Sequence, residues 1–143
     1  MSIPRSQLEL QLGLLLRRSH RRAAQSLSQA LGPLELDGRH FGVMMTLLRR
    51  ESASQRELIA AVESDKSTMV RTVDDLVSLG IVVRAPSPTD RRVQLVSLTP
   101  TGRATAAEAI ERARTVAETV FARLSDDEIR VLGATLEKFL ADN

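Results

Sequence analysis

The chain has 143 residues, a length that fits one domain with dimerisation helices. It has no cysteine, which excludes a disulfide, a thiolate nucleophile and a cysteine-based zinc site. It contains no run of about eighteen apolar residues and no signal-peptide pattern, so we expect a cytoplasmic protein without a membrane span. The net charge at pH 7 is only +2 and is uneven, since residues 1–50 carry +5 whereas residues 104–143 carry −3.

The first predicted helix covers residues 5–31, where apolar residues recur at steps of three and four. This apolar stripe consists of Leu8, Leu12, Leu15, Leu16, Ala23, Leu27 and Leu31. Gly32 and Pro33 end the helix. A basic cluster along it contains Arg17, Arg18, Arg21 and Arg22. The cluster is either a solvated face or a contact with DNA phosphates or with the acidic C-terminal helices of a partner subunit.

The next two predicted helices are short. The second covers residues 38–50, and its apolar residues are expected to face inward: Phe41, Met44, Met45 and Leu48. The capping box Ser54-x-x-Glu57 opens the third, because each side chain satisfies a backbone N–H group of the other residue. The third helix and the one that follows it together predict a helix-turn-helix.

The fourth predicted helix covers residues 65–79, with Ser64 or Asp65 as its N-cap. Gly80 stands where a left-handed residue ends a helix. One face is apolar and contains Met69, Val73, Leu76 and Val77. The opposite face is polar and contains Lys66, Ser67, Thr68, Arg71, Thr72 and Asp75. The second helix of a helix-turn-helix enters the major groove of DNA, so this polar face is the expected reading surface.

A β-hairpin is predicted directly after this helix. Residues 81–85 and 93–99 have the composition of two strands, and a turn-rich tip between them carries Asp90, Arg91 and Arg92. A helix with an exposed donor face followed by a basic hairpin indicates a winged helix. An arginine at the tip can reach an adjacent minor groove, where the negative potential attracts guanidinium groups.

The C-terminal part is predicted to form two more helices. Thr99 and Pro100 start the first of them, as N-cap and first helical residue. A second capping box, Ser125-x-x-Glu128, starts the last helix, which carries an apolar stripe of Ile129, Leu132, Leu136, Phe139 and Leu140. This stripe needs a partner surface, so we expect a homodimer built from both ends of the chain.

These motifs resemble those of the MarR (multiple-antibiotic-resistance regulator) family. The resemblance rests on Ser67-Thr68-x-x-Arg71, Gly80, Asp90-Arg91-Arg92 and Leu98-Thr99-Pro100-x-Gly102-Arg103, and it covers nearly the whole chain. It implies a mostly α (α+β) winged helix of about six helices with a two-stranded wing. In that organisation, residues 1–36 and 100–143 form the dimer and residues 37–99 bind DNA, all within one integrated domain. One branch of the family senses oxidants through cysteine, and this chain lacks the residue for it.

The expected DNA contacts lie on the fourth helix and the wing: Lys66, Ser67, Thr68, Arg71, Thr72, Asp90, Arg91 and Arg92. Arg71 can bind guanine O6 and N7 through two hydrogen bonds. The resemblance implies that Arg92 is the minor-groove arginine, and Asp90 is expected to hold it through a charge-assisted pair. Arg91 and Lys66 are expected to contact phosphates. The alternative is that these residues form an ordinary solvated surface.

The resemblance also implies a small-molecule pocket between the first two helices and the helix-turn-helix. The candidate lining residues are His20, His40, Met44, Met45 and Met69, and the expected effector is a small aromatic or phenolic compound. Two histidines without further ligands make a weak metal site, and each can equally be a buried, hydrogen-bonded imidazole. The methionines can equally be plain core residues.

The sequence therefore predicts a dimeric, ligand-responsive DNA-binding regulator, acting as a repressor, that needs no cofactor and binds a pseudo-palindromic operator. No nucleophile–base pair, phosphate-binding loop or His-x-x-x-His motif is present, so we do not expect an enzyme. The alternative is a winged-helix protein-interaction module that dimerises without reading DNA. The charge of residues 54–103, only +1, favours that alternative slightly, whereas Arg71 and Arg92 favour DNA binding.

Overall fold

The computed structural model describes residues 2–141. Within these residues, six α-helices, one 3₁₀ turn and three short strands follow one another. In order they are α1 (Arg5–Leu31), the 3₁₀ turn (Gly32–Leu34), α2 (Gly38–Arg50), β1 (Ser52–Ser54), α3 (Gln55–Val62), α4 (Lys66–Ser78), β2 (Val82–Pro86), β3 (Gln94–Leu98), α5 (Pro100–Val120) and α6 (Asp126–Leu140). The predicted winged-helix architecture with six helices is confirmed. No helix within residues 2–141 combines the length and hydropathy needed to cross a bilayer.

The predicted wing is part of a three-stranded antiparallel sheet with the order β1-β3-β2. Strands β2 and β3 form the hairpin, with Arg84 opposite Val96, and β1 pairs with the other edge of β3, with Ala53 opposite Val96. The sequence did not predict β1, because three residues, Ser-Ala-Ser, cannot show the alternation that identifies a strand. Pairing with β1 covers one edge of β3 and fixes the root of the wing against the helical core.

The core lies between α2, α3, α4 and the sheet, and it is closed by the end of α1 and the start of α5. Its largest fully buried side chains are Leu31, Met44, Leu47, Leu58, Met69, Leu76, Val43 and Val73. The predicted inward face of α2 was only partly right: Met44 is fully buried as predicted, but the centre of the buried face lies about one residue earlier, which is about 100° of rotation. Val43 and Leu47 are fully buried, whereas Phe41 and Met45 are only half-buried. Apolar residues occur on both sides of α2, so periodicity alone could not choose the buried side.

A tight junction joins the end of α4, the sheet and the start of α5. Thr99 caps α5 by accepting a hydrogen bond from the Gly102 N–H at 2.9 Å, and its hydroxyl donates to the Gly80 carbonyl at 2.6 Å. Gly80 has a positive φ of 72°, the left-handed conformation predicted for it. At Gly102 the backbones approach so closely that a Cβ atom would lie 1.9 Å from the Ile81 carbonyl oxygen.

We therefore predict that Gly102→Ala destabilises the fold strongly, because a backbone carbonyl cannot move aside as a side chain can. We expect a loss of about 2 kcal/mol or more in the free energy of unfolding, at the upper end of the usual cost of overpacking. Urea denaturation at a fixed protein concentration measures it. Gly32→Ala is the matched control, since a Cβ there has nothing within 4 Å. Equal midpoints for the two variants would contradict the close contact.

Candidate nucleic-acid interface

The N-cap of α4 is Asp65, one of the two predicted candidates. Its carboxylate accepts hydrogen bonds from the Thr68 N–H and from the Thr68 hydroxyl, both at 2.8 Å. These two bonds, the backbone bond first, lower the pKa of Asp65 below its ordinary value, so the cap is ionised at neutral pH. Thr68 was predicted to contact DNA. It donates its hydroxyl hydrogen to the Asp65 cap, so only the hydroxyl oxygen remains available, as a hydrogen-bond acceptor.

The exposed face of α4 carries Lys66, Ser67 and Arg71, as predicted. The prediction that Thr72 is also exposed was wrong: its exposed fraction is 1% and its hydroxyl donates to the Thr68 carbonyl at 2.8 Å. Thr72 lies between Met69 and Leu76 on the helix surface and completes the buried face. Val77, predicted to be buried, is 37% exposed, because it lies at the edge of the buried face, about 100° around the helix from Leu76.

Both carboxylates in the body of α4 are held by neighbouring elements. Asp74 forms an ion pair with Arg84 on β2, and Asp75 contacts the imidazole Nε2 of His40 on α2 at 2.9 Å. Within residues 2–141, Arg71 forms no ion pair. The exposed face therefore presents an arginine whose five N–H donors are available to an external acceptor.

The tip of the wing is organised by Asp90. Its carboxylate accepts hydrogen bonds from Arg92, from the backbone N–H and Nε at 3.1 Å and from Nη2 at 3.3 Å. These bonds lower the pKa of Asp90, with the side-chain bond the larger cause. The predicted pairing is thus confirmed, and it leaves the Arg92 side chain 91% exposed. Arg91 is exposed beside it.

Ser87, which sequence reasoning overlooked, closes the loop at the tip of the wing, directly after the end of β2. It is 8% exposed, its N–H donates to the Val93 carbonyl at 2.8 Å, and its hydroxyl bonds the Thr89 hydroxyl at 3.1 Å. These bonds stabilise the turn that carries Asp90 and Arg92. The position of Ser87 between two prolines marked a turn but gave no sign that its side chain would be buried.

A cleft of about 950 Å³ lies where the pocket was predicted, between α1, α2 and the helix-turn-helix. His20 and Met69 line it, as predicted. Its apolar surface comes from alanine, leucine, valine and methionine side chains on three elements: Ala23, Ala24, Leu27, Val62 and Met69. An apolar cleft at the junction of two structural units is the usual form of a small-molecule site.

The other three predicted pocket residues lie elsewhere. His40 is 5% exposed and fully engaged: Nδ1 accepts a hydrogen bond from the Asp37 N–H at 3.0 Å, and Nε2 contacts Asp75. Met44 is fully buried in the core, and Met45 packs half-buried against it. The prediction was wrong for all three, because these side chains pack into the core or against α4 rather than into the cleft. His40 is the hydrogen-bonded imidazole, and the two methionines are core residues.

The charged residues that line the cleft are mainly acidic. They are Asp37, Glu63 and Asp65, against a single arginine, Arg39. Arg39 donates to Asp37, with Nη2 and Oδ2 2.8 Å apart. Burial alone would raise the pKa of Asp37, but the hydrogen bonds from Arg39 outweigh it and the pKa is lowered. The cleft thus offers more acceptors than donors. Among residues 2–141, no group of three or more histidine, aspartate or glutamate side chains could hold a metal ion.

Comparison with known proteins gives a consistent result. A family model described as "MarR family" matches residues 34–93. The HTH-type transcriptional repressor NicR of Pseudomonas putida is 31% identical over 118 residues, which is 82% of this chain and 75% of that protein. Curated relatives of this chain, NicR among them, align with it over 59% to 90% of their own lengths.

Two solved structures are similar over most of their length. One is a mutant of MarR from Escherichia coli complexed with operator DNA, and the other is BpsR of Bordetella bronchiseptica, whose DNA binding is regulated by 6-hydroxynicotinic acid. Each has a TM-score of 0.83 and 28% identity, and each comparison covers 91% of this chain and 94% of the other.

Proposed function

Because this chain belongs to the MarR family of transcription regulators, we propose that it is a dimeric, ligand-responsive repressor that acts in the cytoplasm on a pseudo-palindromic operator. The observation that carries the proposal is the free guanidinium of Arg71 on the exposed face of α4, in the same chain as a second exposed arginine, Arg92, at the wing tip. A similar structure bound to operator DNA supports it.

In this proposal α4 enters the major groove and the wing reaches the adjacent minor groove. Arg71 reads a guanine through two hydrogen bonds, and Lys66 and Ser67, at the start of the helix, contact phosphates or a neighbouring base. Arg92 enters the minor groove, held in position by Asp90, and Arg91 contacts phosphate. Two copies of α4 related by a twofold axis would read half-sites about one helical turn apart.

The two arginines should have different effects on DNA binding. Arg71→Ala should cost roughly 1–3 kcal/mol of binding free energy and relax specificity at one position in each half-site. Arg92→Ala should weaken binding to most sites alike and abolish only the preference for A·T-rich flanks. Asp90→Ala should resemble a milder form of Arg92→Ala, because it releases the arginine without removing it.

The measurement is a binding titration of each variant against an operator library, with melting temperatures recorded in parallel. Arg49→Ala, which removes an exposed arginine at the end of α2, outside both elements and outside the proposed dimer regions, is the control for loss of charge. If Arg71→Ala binds every duplex as the parent does, α4 is not the reading element. If the parent prefers no duplex, the alternative, a protein-interaction module, replaces this proposal.

The dimer is proposed from two exposed apolar surfaces that no part of residues 2–141 covers. Helix α6 buries none of its residues, and Leu132, Phe139 and Leu140 are 42%, 68% and 63% exposed. The first half of α1 exposes further apolar side chains: Leu8, Leu10, Leu12, Leu14 and Leu15. Contiguous exposed apolar surface of this kind marks an interaction site. We propose that residues 1–36 and 100–143 of two chains cover these surfaces mutually.

Leu132→Asp should therefore shift the protein from dimer to monomer, because it places a carboxylate in the apolar face of α6. Ala134→Asp is the matched control: it adds the same charge to the same helix on the opposite, polar face. Sedimentation velocity at micromolar concentration should give about twice the chain mass of 15.7 kDa for the control and the single mass for Leu132→Asp. A monomeric parent would contradict the dimer.

We further propose that the cleft binds a small aromatic effector that reduces DNA affinity by favouring dimers whose α4 spacing does not fit the operator. The apolar lining suits an aromatic ring. Within the expected class of small aromatic or phenolic compounds, the excess of acidic lining residues favours an uncharged ring over one that carries a carboxylate. A ligand with a carboxylate binds only if Arg39 breaks its ion pair with Asp37 and pairs with the ligand instead.

Calorimetry with 6-hydroxynicotinic acid and its uncharged amide tests both points. The amide should bind roughly threefold to tenfold more tightly than the acid. The reason is that two like unit charges about 4 Å apart in water repel each other by about 1 kcal/mol, and dissolved salt reduces this repulsion. Ala24→Phe, which fills the cleft, should abolish binding of both compounds. Gln25→Phe, at the adjacent exposed position outside the cleft, should not. Equal binding to both variants would show that the cleft is not the effector site.

A further inference from the structure

The buried His40 is used by none of the functions proposed above, yet it contacts the recognition helix directly. We infer that His40 is a positioning residue: by holding Asp75, it keeps that carboxylate from pairing with Arg71 and so leaves the reading arginine available to DNA. The inference rests on the proposed reading by Arg71.

The hydrogen bonds of His40 define which ring nitrogen carries its hydrogen. Nδ1 accepts a bond from the Asp37 N–H at 3.0 Å, as the second half of the capping box of α2. A nitrogen that accepts from a backbone N–H carries no hydrogen, so in the neutral ring Nε2 must carry it. Nε2 therefore donates to Asp75 Oδ2 at 2.9 Å, a charge-assisted hydrogen bond from a side chain that is 5% exposed.

The position of Asp75 explains why its hydrogen bond to His40 matters for Arg71. Asp75 lies four residues after Arg71, so the two side chains are neighbours on the surface of α4, and opposite charges at this spacing attract each other. Asp75 is about half-exposed, so it can turn towards Arg71 unless something prevents it. Asp74, the other carboxylate in the body of α4, is held in the same way by Arg84.

Loss of the His40 contact would thus weaken DNA binding through Arg71. Asp75 would compete with the guanine for the guanidinium of Arg71. Because a dimer uses two recognition helices, the effect on each helix would be multiplied in the affinity for the whole operator.

Two substitutions separate the two bonds of the imidazole. The amide of asparagine can stand in for Nδ1, so His40→Asn keeps the cap on Asp37 but loses the donor to Asp75. The longer His40→Gln places an amide near Nε2 and keeps that donor. We expect His40→Asn to weaken operator binding about fourfold, since an i,i+4 ion pair is worth about a factor of two on each of two helices. His40→Gln should bind within about twofold of the parent.

Rescue distinguishes positioning from a merely structural role. Adding Asp75→Asn to His40→Asn should restore the affinity to that of Asp75→Asn alone, because no carboxylate is then left to capture Arg71. A structural defect would instead persist in the double variant and would appear in its melting temperature. In an Arg71→Ala background, His40→Asn should have no further effect.

The outcomes separate this inference from the proposed function. If Arg71→Ala weakens binding but His40→Asn does not, or if Asp75→Asn fails to rescue, only the role of His40 is overturned. If Arg71→Ala itself has no effect, the proposed reading fails.

A measurement on the parent dimer covers the case in which His40→Asn does not fold. The ¹⁵N resonances of the His40 ring should show a hydrogen on Nε2, and they should shift on Asp75→Asn but not on the control Asp74→Asn. An Nε2 without a hydrogen would overturn the inference, because it could not donate to Asp75.

Discussion

The contact between Gly102 and the Ile81 carbonyl is the constraint on which the arrangement of the molecule depends. It allows the start of α5 to lie directly against the segment that follows α4, where Thr99 bonds the carbonyl oxygens of Gly80 and Ile81. The end of the recognition helix, the root of the wing and the first turn of α5 are thereby joined at one point. Since close-packed backbones transmit a displacement rather than absorb it, any change in the angle of α5 at the proposed dimer interface must also move α4.

Affinity for DNA in this protein must come from the local placement of charge, because a net charge of +2 supplies little general attraction to phosphates. The structure shows how a nearly neutral DNA-binding region can still present a positive face. Asp65 lies at the N-terminus of α4, where the helix dipole stabilises a negative charge, and Asp74 and Asp75 are held by Arg84 and His40. Three carboxylates on or beside the recognition helix are accounted for, and none pairs with Arg71.

The sequence was sufficient for the features that depend on neighbours along the chain. Capping boxes, the positive φ of Gly80 and the pairing of Asp90 with Arg92 follow from spacings of two to four residues, and the structure has them as predicted. Features that depend on distant residues were missed or misplaced. The strand β1 exists only because β3 is beside it, and the burial of Thr72 and the rotation of α2 depend on how helices pack. His40 could be assigned only once Asp75, 35 residues away, lay beside it.

The position of His40 also places the proposed effector cleft next to the residue that we infer keeps Arg71 available to DNA. Asp37 and Arg39 line the cleft, while His40, the residue that follows Arg39, bonds the Asp37 backbone from the opposite side. A ligand that drew Arg39 away from Asp37 would disturb the first turn of α2, and that turn sets where the imidazole lies. Two routes to the recognition helix would then exist: a global one through α5 that changes the spacing of the two helices, and a local one that changes the charge available at Arg71. The two routes predict different effects on the affinity for an isolated half-site. Only the local route lowers that affinity, because an isolated half-site imposes no spacing on the two helices.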